Sequence, residues 1–253
     1  MNRSKKNISS KKVVKEVELL NFLRTELIEN MLREKDIYTK IMKALKYRSP
    51  LSIVRIGDGE ALTIAQECLL DIDEVKKRGP FLDYAGVNVP DLKSRDDLCE
   101  AIINADIVGI PTSPLENFMP LTLHAFDANN INPFKLNLTH SLINYTLCLE
   151  GYLSKVLNTT GLKVLLVGNP MAKLEPVLKQ KNIDIVKSIY PVNGVNDHER
   201  IVKEMNNYKF HLALVSSGIS AVPICSKITR LKNVVALDFG HLSDEIIKDE
   251  KTI

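Results

Sequence analysis

The chain has 253 residues, of which 45% are hydrophobic and 26% charged, and it carries a formal net charge of +3. These proportions are typical of a globular protein with one large domain or two small ones, and this length buries a sizeable core without disulfides or a structural metal. The small net charge argues against nucleic acid as a partner. An anionic ligand would instead require a local site.

The cysteines and the apolar runs indicate a cellular compartment. No CxxC pair or zinc-like spacing occurs, and most cysteines have apolar neighbours, which predicts buried free thiols in a reducing compartment: Cys68, Cys99, Cys148 and Cys225. The N-terminus lacks the apolar core of a signal peptide, and no apolar run approaches the ~20 residues of a membrane span. We therefore expect a cytoplasmic protein.

The first 15 residues form a basic arm, in which six cations alternate with polar residues: Arg3, Lys5, Lys6, Lys11, Lys12 and Lys15. Such a segment buries little apolar surface and is typical of a solvated, disordered tail. The alternative is peripheral contact with an anionic membrane, to which each cation contributes about 1 kcal/mol.

A helical pattern follows over residues 16–48, with apolar side chains at spacings of three and four. The pattern lapses over the charged residues 33–36, so it predicts either one long amphipathic helix or two helices that meet there. The apolar stripe is expected to pack on the main domain or on a partner subunit, the latter making a homo-oligomer. The predicted divisions are thus residues 1–15, 16–48 and 49–253.

From residue 51 onward, short β-rich runs alternate with helical stretches. The predicted strands are Leu51–Ile56, Asp106–Ile110, Lys163–Val167, Asp184–Ile189, His211–Val215 and Val234–Leu237. The predicted helices include Ala61–Leu70, Thr139–Leu157, Ala172–Lys181, Asn196–Asn207 and Ala221–Leu231. Nearly continuous apolar strands that alternate with helices predict an α/β fold: a mostly parallel sheet with helices on both faces, plus the N-terminal helical extension.

Polar residues follow five of the predicted strands, in residues 57–60, 111–114, 168–170, 216–218 and 238–241. Ligands of open α/β sheets bind at the carboxyl ends of the strands. If the sheet is parallel, these five segments lie at the same edge.

The first of these segments contains two carboxylates separated by one glycine, Asp58 and Glu60. In an extended segment they point to the same side and can share Mg²⁺ or Mn²⁺, which acts as a Lewis acid toward a departing nucleoside diphosphate. Gly57 and Gly59 allow close backbone approach and positive φ. Arg55 holds either a phosphate or the two carboxylates. The alternative is a simple turn, in which Asp58 caps a helix that starts near Glu60.

Two further strand ends supply candidate ligand contacts. Ser216, Ser217 and Gly218 either offer hydroxyl and N–H groups to a diphosphate or cap the next helix. Asp238 and His241 are candidates for contact with metal, phosphate or acceptor, against a purely structural role. No GxxxxGK[ST] loop occurs, which disfavours a P-loop hydrolase.

The segment Arg55-Ile56-Gly57-Asp58-Gly59-Glu60 resembles the DXE signature of the GT-D-type glycosyltransferases, and the resemblance covers roughly residues 50–245. It continues through Ala105–Pro111, Val164–Pro170, Leu214–Gly218 and Ala236–His241. Ile56 stands where many members have an aromatic residue. The resemblance implies a Rossmann-like sheet, a nucleotide-sugar donor such as UDP-glucose, and a divalent metal, Mn²⁺ or Mg²⁺, held by the DXE carboxylates, here Asp58 and Glu60.

We therefore expect a metal-dependent glycosyltransferase that moves a sugar from a nucleoside diphosphate to a hydroxyl of a glycan, glycoprotein or lipid-linked acceptor, in bacterial glycan or glycoprotein assembly. Diphosphate and nucleotide contacts are expected from Arg55, Ser216, Ser217 and His241, and the general base is Asp58, Glu60 or Asp238. One alternative is an S-adenosylmethionine-dependent methyltransferase, although a third glycine is lacking. The other is a non-catalytic protein that binds nucleotide sugars or serves as a scaffold.

Overall fold

Strands and helices alternate along the chain in the computed structural model, which describes residues 24–251 and 253. The predicted basic arm and the start of the predicted helical segment lie outside these residues. The strands are β1 Leu51–Arg55, β2 Ile107–Ile110, β3 Leu138–His140, β4 Lys163–Val167, β5 Asp184–Ile189, β6 Leu212–Val215 and β7 Val235–Asp238. The helices are α1 Glu34–Tyr47, α2 Asp58–Ala65, α3 Ile72–Arg78, α4 Leu92–Asn104, α5 Met119–Ala128, α6 Ile143–Leu149, α7 Tyr152–Leu157, α8 Met171–Gln180, α9 His198–Met205, α10 Ala221–Leu231 and α11 Leu242–Ile247.

The described strands form one seven-stranded sheet in the order β3-β2-β1-β7-β6-β4-β5, and every pairing is parallel. The prediction of a parallel α/β sheet is confirmed. All the carboxyl ends therefore lie at one edge, and β1, β7 and β6 are neighbours in the middle of it.

Alternate residues of each central strand enter one of two apolar clusters, one on each face of the sheet. In β1, Ile53 joins one cluster and Val54 joins the other. Helices α2, α4, α5, α9 and α10 contribute buried residues to the cluster of Val54, whereas α1, α6, α7, α8 and α11 contribute to that of Ile53. Helices thus cover both faces of the sheet, which explains why the strand sequences are nearly continuously apolar.

The N-terminal helical segment is broken, as the second alternative predicted. Residues 24–29 are helical, the helix ends at residue 30, and α1 begins at Glu34 inside the charged run. The buried residues of α1, among them Ile37 and Ile41, pack in the same cluster as Ile53. This helix therefore packs on the main domain.

Two of the predicted helices differ from the structure. The stretch predicted as a helix over Thr139–Leu157 begins with the edge strand β3, and the rest divides into α6 and α7 at Gly151, where φ is +71°. Leu136 and Leu138 alternate with polar residues, a pattern of period two that indicates a strand. Helix α2 spans Asp58–Ala65, so it begins before the predicted start at Ala61 and ends before Leu70.

Within residues 24–251, none of the helices has the length and apolar character that crossing a membrane requires. Cys148 and Cys225 are buried and Cys99 is half-buried, but Cys68 is exposed. The prediction of buried thiols is therefore wrong for Cys68.

Candidate active site at the carboxyl ends of β1, β7 and β6

Three of the predicted site segments lie side by side because their strands are neighbours. Residues 57–60 follow β1, residues 238–241 end β7 and follow it, and residues 216–218 follow β6. The loop after β6 also reaches α2, since a Cβ added to Gly59 would lie 3.2 Å from Ile219 Cδ1. The predicted convergence of these polar segments is confirmed by the sheet order.

A buried ion pair joins β1 to β7. Arg55 Nη2 donates to Asp238 Oδ1 at 2.9 Å, and Arg55 Nε donates to the Asp238 carbonyl at 3.1 Å. Arg55 Nη1 donates to the carbonyl of Ser141 and to Oδ1 of Asn144. These four acceptors occupy most of the five guanidinium N–H donors, so Arg55 binds protein groups. Its carboxylate partner is Asp238 and not the predicted pair of Asp58 and Glu60.

Two neighbouring residues, Asn144 and Gly240, were not among the predicted site residues, and both lie against Arg55. Asn144 is buried and donates from Nδ2 to the carbonyl of Phe239 at 2.8 Å, so it connects α6 to the end of β7. Gly240 has φ of +53°, and a Cβ at this position would clash with the guanidinium of Arg55. Only glycine fits beside Arg55 in this conformation. The Asp238-to-His241 motif signalled Gly240, whereas nothing in the predicted 139–157 helix distinguished Asn144.

The DXE carboxylates lie in the first turn of α2, which corrects the prediction of an extended segment. Asp58 is the first helical residue, and Glu60 Oε2 accepts a hydrogen bond from the N–H of Gly57 at 2.8 Å. Positions i and i+2 of a helix are rotated by about 200°, so the two side chains do not share one face. Gly57 and Gly59 do not have positive φ either. Packing favours a small residue at Gly59, because a Cβ there would lie 3.2 Å from Ile219 Cδ1 and 3.5 Å from Phe81 Cε2.

The carboxyl group of Glu60 is buried close to the carboxylate of Asp238, and both features raise its pKa. Burial, followed by the charge of Asp238, raises the pKa of Glu60 from 4.5 to about 7, although the Gly57 hydrogen bond and the Arg55 charge oppose the shift. Burial also raises the pKa of Asp238, against the effect of Arg55. This end of the sheet thus has three carboxyl groups, those of Asp58, Glu60 and Asp238, and one guanidinium. The balance favours a cation ligand over a bare anion.

The raised pKa of Glu60 predicts how stability depends on pH in the presence of EDTA. Between about pH 4.5 and pH 7 the folded chain binds more protons than the unfolded chain, so the contribution of Glu60 to the free energy of unfolding falls as pH rises through this window and levels off above it. Urea unfolding of the parent and of Glu60→Gln across the window measures this contribution. Glu60→Gln should lack it, and an identical pH slope in both proteins would contradict the assignment.

The loop after β6 contains two enclosed hydroxyls. Ser216 Oγ and Ser217 Oγ are shielded from solvent, and neither finds a hydrogen-bond partner within the described part of the chain. Gly218 follows with φ of +59° and starts a 3-10 turn that leads into α10. Buried hydroxyls without partners cost stability, which a ligand that accepts or donates hydrogen bonds recovers.

Ser216→Ala and Ser217→Ala are therefore expected to weaken donor binding without destabilising the fold. Each removes a hydroxyl whose loss breaks no hydrogen bond among the described residues, and a lost ligand hydrogen bond costs about 0.5–1.5 kcal/mol, or about 2- to 13-fold in affinity. Ser188→Ala, in the edge strand β5, serves as the control. Calorimetric titration with UDP in the presence of Mn²⁺ measures the effect; if all three variants bind like the parent, the two hydroxyls are not ligand contacts.

The predicted candidate His241 and two other polar side chains, His140 and Asn169, have partners of their own outside the ion pair. The side chain of His241 is 89% exposed at the start of α11, where Nδ1 lies 3.1 Å from Asp244 Oδ2 on the same helix. His140, expected to begin a helix, instead ends β3 and pairs with Glu34 of α1 at 2.9 Å. Asn169 exchanges two hydrogen bonds with the backbone of Val192. The geometry of His140 and Asn169 thus indicates structural roles.

The described side chains at this edge of the sheet do not complete the coordination of a hard divalent cation by themselves, so oxygens of a bound ligand would have to supply the rest. Within residues 24–251, no three His, Cys, Asp or Glu side chains come together as a metal site. Mg²⁺ is commonly held by one or two carboxylates, with substrate phosphates and water completing the coordination. Asp58 and Glu60 supply two such carboxylates, but they lie on different faces of α2. They therefore reach one cation only if water or ligand oxygens bridge part of the distance.

Comparison with solved structures agrees with the fold. A solved structure of the domain of unknown function 1792, in selenomethionine-substituted form, matches with a TM-score of 0.60 and 17% identity over 93% of this chain and 85% of that chain. A second structure, described as showing that this domain has a distinct glycosyltransferase fold, matches with a TM-score of 0.56 and 17% identity over 90% and 85% of the two chains. No curated protein matches the sequence.

The fold is therefore an α/β fold of the glycosyltransferase kind, with polar residues gathered at the carboxyl edge of the sheet. The sequence model of the GT-D fold-like domain matches residues 32–246, and the chain belongs to this GT-D-like family. The match begins before α1, so this helix is part of the family domain and not an extension outside it, in contrast to the resemblance predicted from about residue 50.

Proposed function

We propose that this chain is a glycosyltransferase that moves a sugar from a nucleoside diphosphate, such as UDP-glucose, to an acceptor hydroxyl with the help of a divalent cation. The observation that carries the proposal is the charge balance at the carboxyl ends of β1 and β7. There, three carboxyl groups accompany one guanidinium, and the pKa of Glu60 is raised to about 7. An anionic donor is repelled by such a site unless a cation accompanies it.

The residues at this edge of the sheet have separate roles in the proposed reaction. Asp58 and Glu60 would hold Mn²⁺ or Mg²⁺, at least one of them through water, because the two side chains lie on different faces of α2. The cation would supply stabilisation of the negative charge that develops on the leaving diphosphate. Arg55 holds Asp238 in place through two hydrogen bonds, one to its carbonyl and one to Oδ1, and its charge opposes the rise that burial causes in the pKa of Asp238. Hydroxyl groups of Ser216 and Ser217 bind the diphosphate from the neighbouring strand end.

These contacts say less about how the acceptor binds than about how the nucleoside diphosphate binds. His241, exposed beside the end of β7, contacts either the nucleotide or the acceptor from solvent. The acceptor is a hydroxyl of a glycan, glycoprotein or lipid-linked sugar, and its general base is drawn from Asp58, Glu60 and Asp238.

A thermal-shift screen followed by donor hydrolysis tests the proposal. UDP-glucose with Mn²⁺ is expected to raise the melting temperature more than UDP-glucose with EDTA, and Mn²⁺ should be needed for release of UDP. Stabilisation by S-adenosylmethionine alone would favour a methyltransferase. UDP-glucose binding without hydrolysis, and without transfer to any acceptor hydroxyl, would favour a non-catalytic binding protein.

A further inference from the structure

A cavity lies at the edge of the sheet opposite the candidate active site, where the strands begin. It has a volume of about 650 Å³ and is bounded by the end of α1, the loop before β4 and the residue before β6. Aliphatic side chains of Met42, Leu45 and Leu162 form part of its wall. Pockets for small organic molecules typically have volumes of about 300–1,000 Å³ and a largely apolar lining.

The charged residues of this cavity all have one sign. Lys43, Lys46 and Arg48 line it, and none of its lining residues is a carboxylate, although the chain has 31 Asp and Glu. Thr159 and Thr160 add hydroxyl groups from the loop before β4. Cations near a helix C-terminus also complement the helix dipole, so the charge pattern needs a second observation before it indicates a ligand.

That second observation is the backbone at Arg48. This residue caps α1 with φ of 54° and ψ of 44°, in the left-handed region. Glycine or asparagine normally occupies this position, because a side chain with a Cβ is strained there. An arginine at this cap gives up some backbone stability, as Glu67 and Asp249 also do at their positions, and it places a third cation in the lining of the cavity.

His211 is a third indication. Its Nδ1 accepts a hydrogen bond from the N–H of Lys163 at 3.0 Å, so in the neutral ring Nε2 carries the proton and acts as a donor. Burial, together with the positive charges of Arg48 and Lys163, lowers the pKa of His211, and Asp184 opposes this shift. The surroundings of the ring are thus electropositive as well as partly apolar.

We propose that this cavity is a second binding site, separate from the carboxyl edge of the sheet, for a small organic phosphate. Arg48, Lys43 and Lys46 bind the phosphate, and the wall of Met42, Leu45 and Leu162 packs against the apolar body of the ligand. The inference does not depend on the proposed function, because the two sites lie at opposite ends of the strands.

The test uses phenyl phosphate as the probe and the ring resonance of His211 as a local reporter. The chain has five histidines, and His211→Gln identifies the resonance that belongs to this one. Phenyl phosphate is expected to shift it saturably and to bind more tightly than inorganic phosphate. Arg48→Gly should fold at least as stably as the parent, since glycine prefers the left-handed cap, but should bind the probe at least about tenfold more weakly.

Asn130→Gly is the matched control, because Asn130 also has a left-handed backbone, with φ of 57°, and does not line the cavity. It should bind the probe like the parent. The proposal is overturned if the His211 resonance does not respond saturably, if Arg48→Gly binds like the parent, or if inorganic phosphate binds as tightly as phenyl phosphate. A response to vesicles of anionic phospholipid, without one to either soluble phosphate, would also overturn it and indicate a membrane surface.

Discussion

Asp58→Asn and Glu60→Gln are each expected to lower the rate of donor turnover by about 100-fold or more while leaving the fold intact. Both substitutions keep the size of the side chain but remove the negative charge that a divalent cation requires. Loss of a Lewis acid costs several kcal/mol of transition-state stabilisation, and about 2.7 kcal/mol corresponds to 100-fold in rate. Steady-state release of UDP with Mn²⁺ present measures the effect.

Ligand-induced stabilisation provides an independent measurement on the same variants. In the parent, UDP with Mn²⁺ at about a hundred times its dissociation constant should add about 2.7 kcal/mol to the free energy of unfolding, and the variants should lose this gain. The control is Asp71→Ala, which removes the N-cap carboxylate of α3, where Asp71 Oδ1 accepts from the N–H of Glu74 at 2.8 Å.

Asp71→Ala should cost about 0.5–2 kcal/mol of stability and leave the response to Mn²⁺ unchanged. If Asp58→Asn and Glu60→Gln behave like Asp71→Ala, the DXE carboxylates serve only to start α2. Full turnover in both variants would show that the proposed mechanism is wrong.

Arg55→Met is expected to destabilise the fold by about 3–5 kcal/mol, because it leaves the buried carboxylate of Asp238 without its partner. The side chain of Asp238 is only 5% exposed and that of Arg55 16%, so water cannot replace the lost charge. The double variant Arg55→Met with Asp238→Asn should recover part of the loss, since it removes the uncompensated carboxylate. Urea unfolding of the parent, both single variants and the double variant measures the coupling.

Arg78→Met provides the comparison for Arg55→Met. Like Arg55, Arg78 forms ion pairs, in its case with Glu74 and Glu116, but the side chain of Glu116 is 77% exposed. Such a surface pair contributes about 0.2–1 kcal/mol. If Arg55→Met costs no more than Arg78→Met, the ion pair between β1 and β7 does not hold the strand ends together.

The family domain and the parallel sheet were open to prediction because they follow from local patterns. Six apolar runs predicted six of the seven strands, and small or polar residues after them marked the carboxyl edge. Burial of strands such as β6 on both faces makes such runs continuous, so the signal is strong. The edge strand β3 was missed because it has only three residues, Leu138–His140, and because a helix begins soon after it, at Ile143.

The partners of the site residues depended on the tertiary structure. The sequence by itself determined that Arg55, Asp58, Glu60 and Asp238 lie near strand ends, but not that Arg55 pairs with Asp238, 183 positions away. That pairing follows from the sheet order, which places β7 beside β1 although the two strands are far apart in the chain. Local patterns carry no information about such long-range neighbours. The raised pKa of Glu60 likewise depends on the fold, which buries its carboxyl group and brings Asp238 close to it.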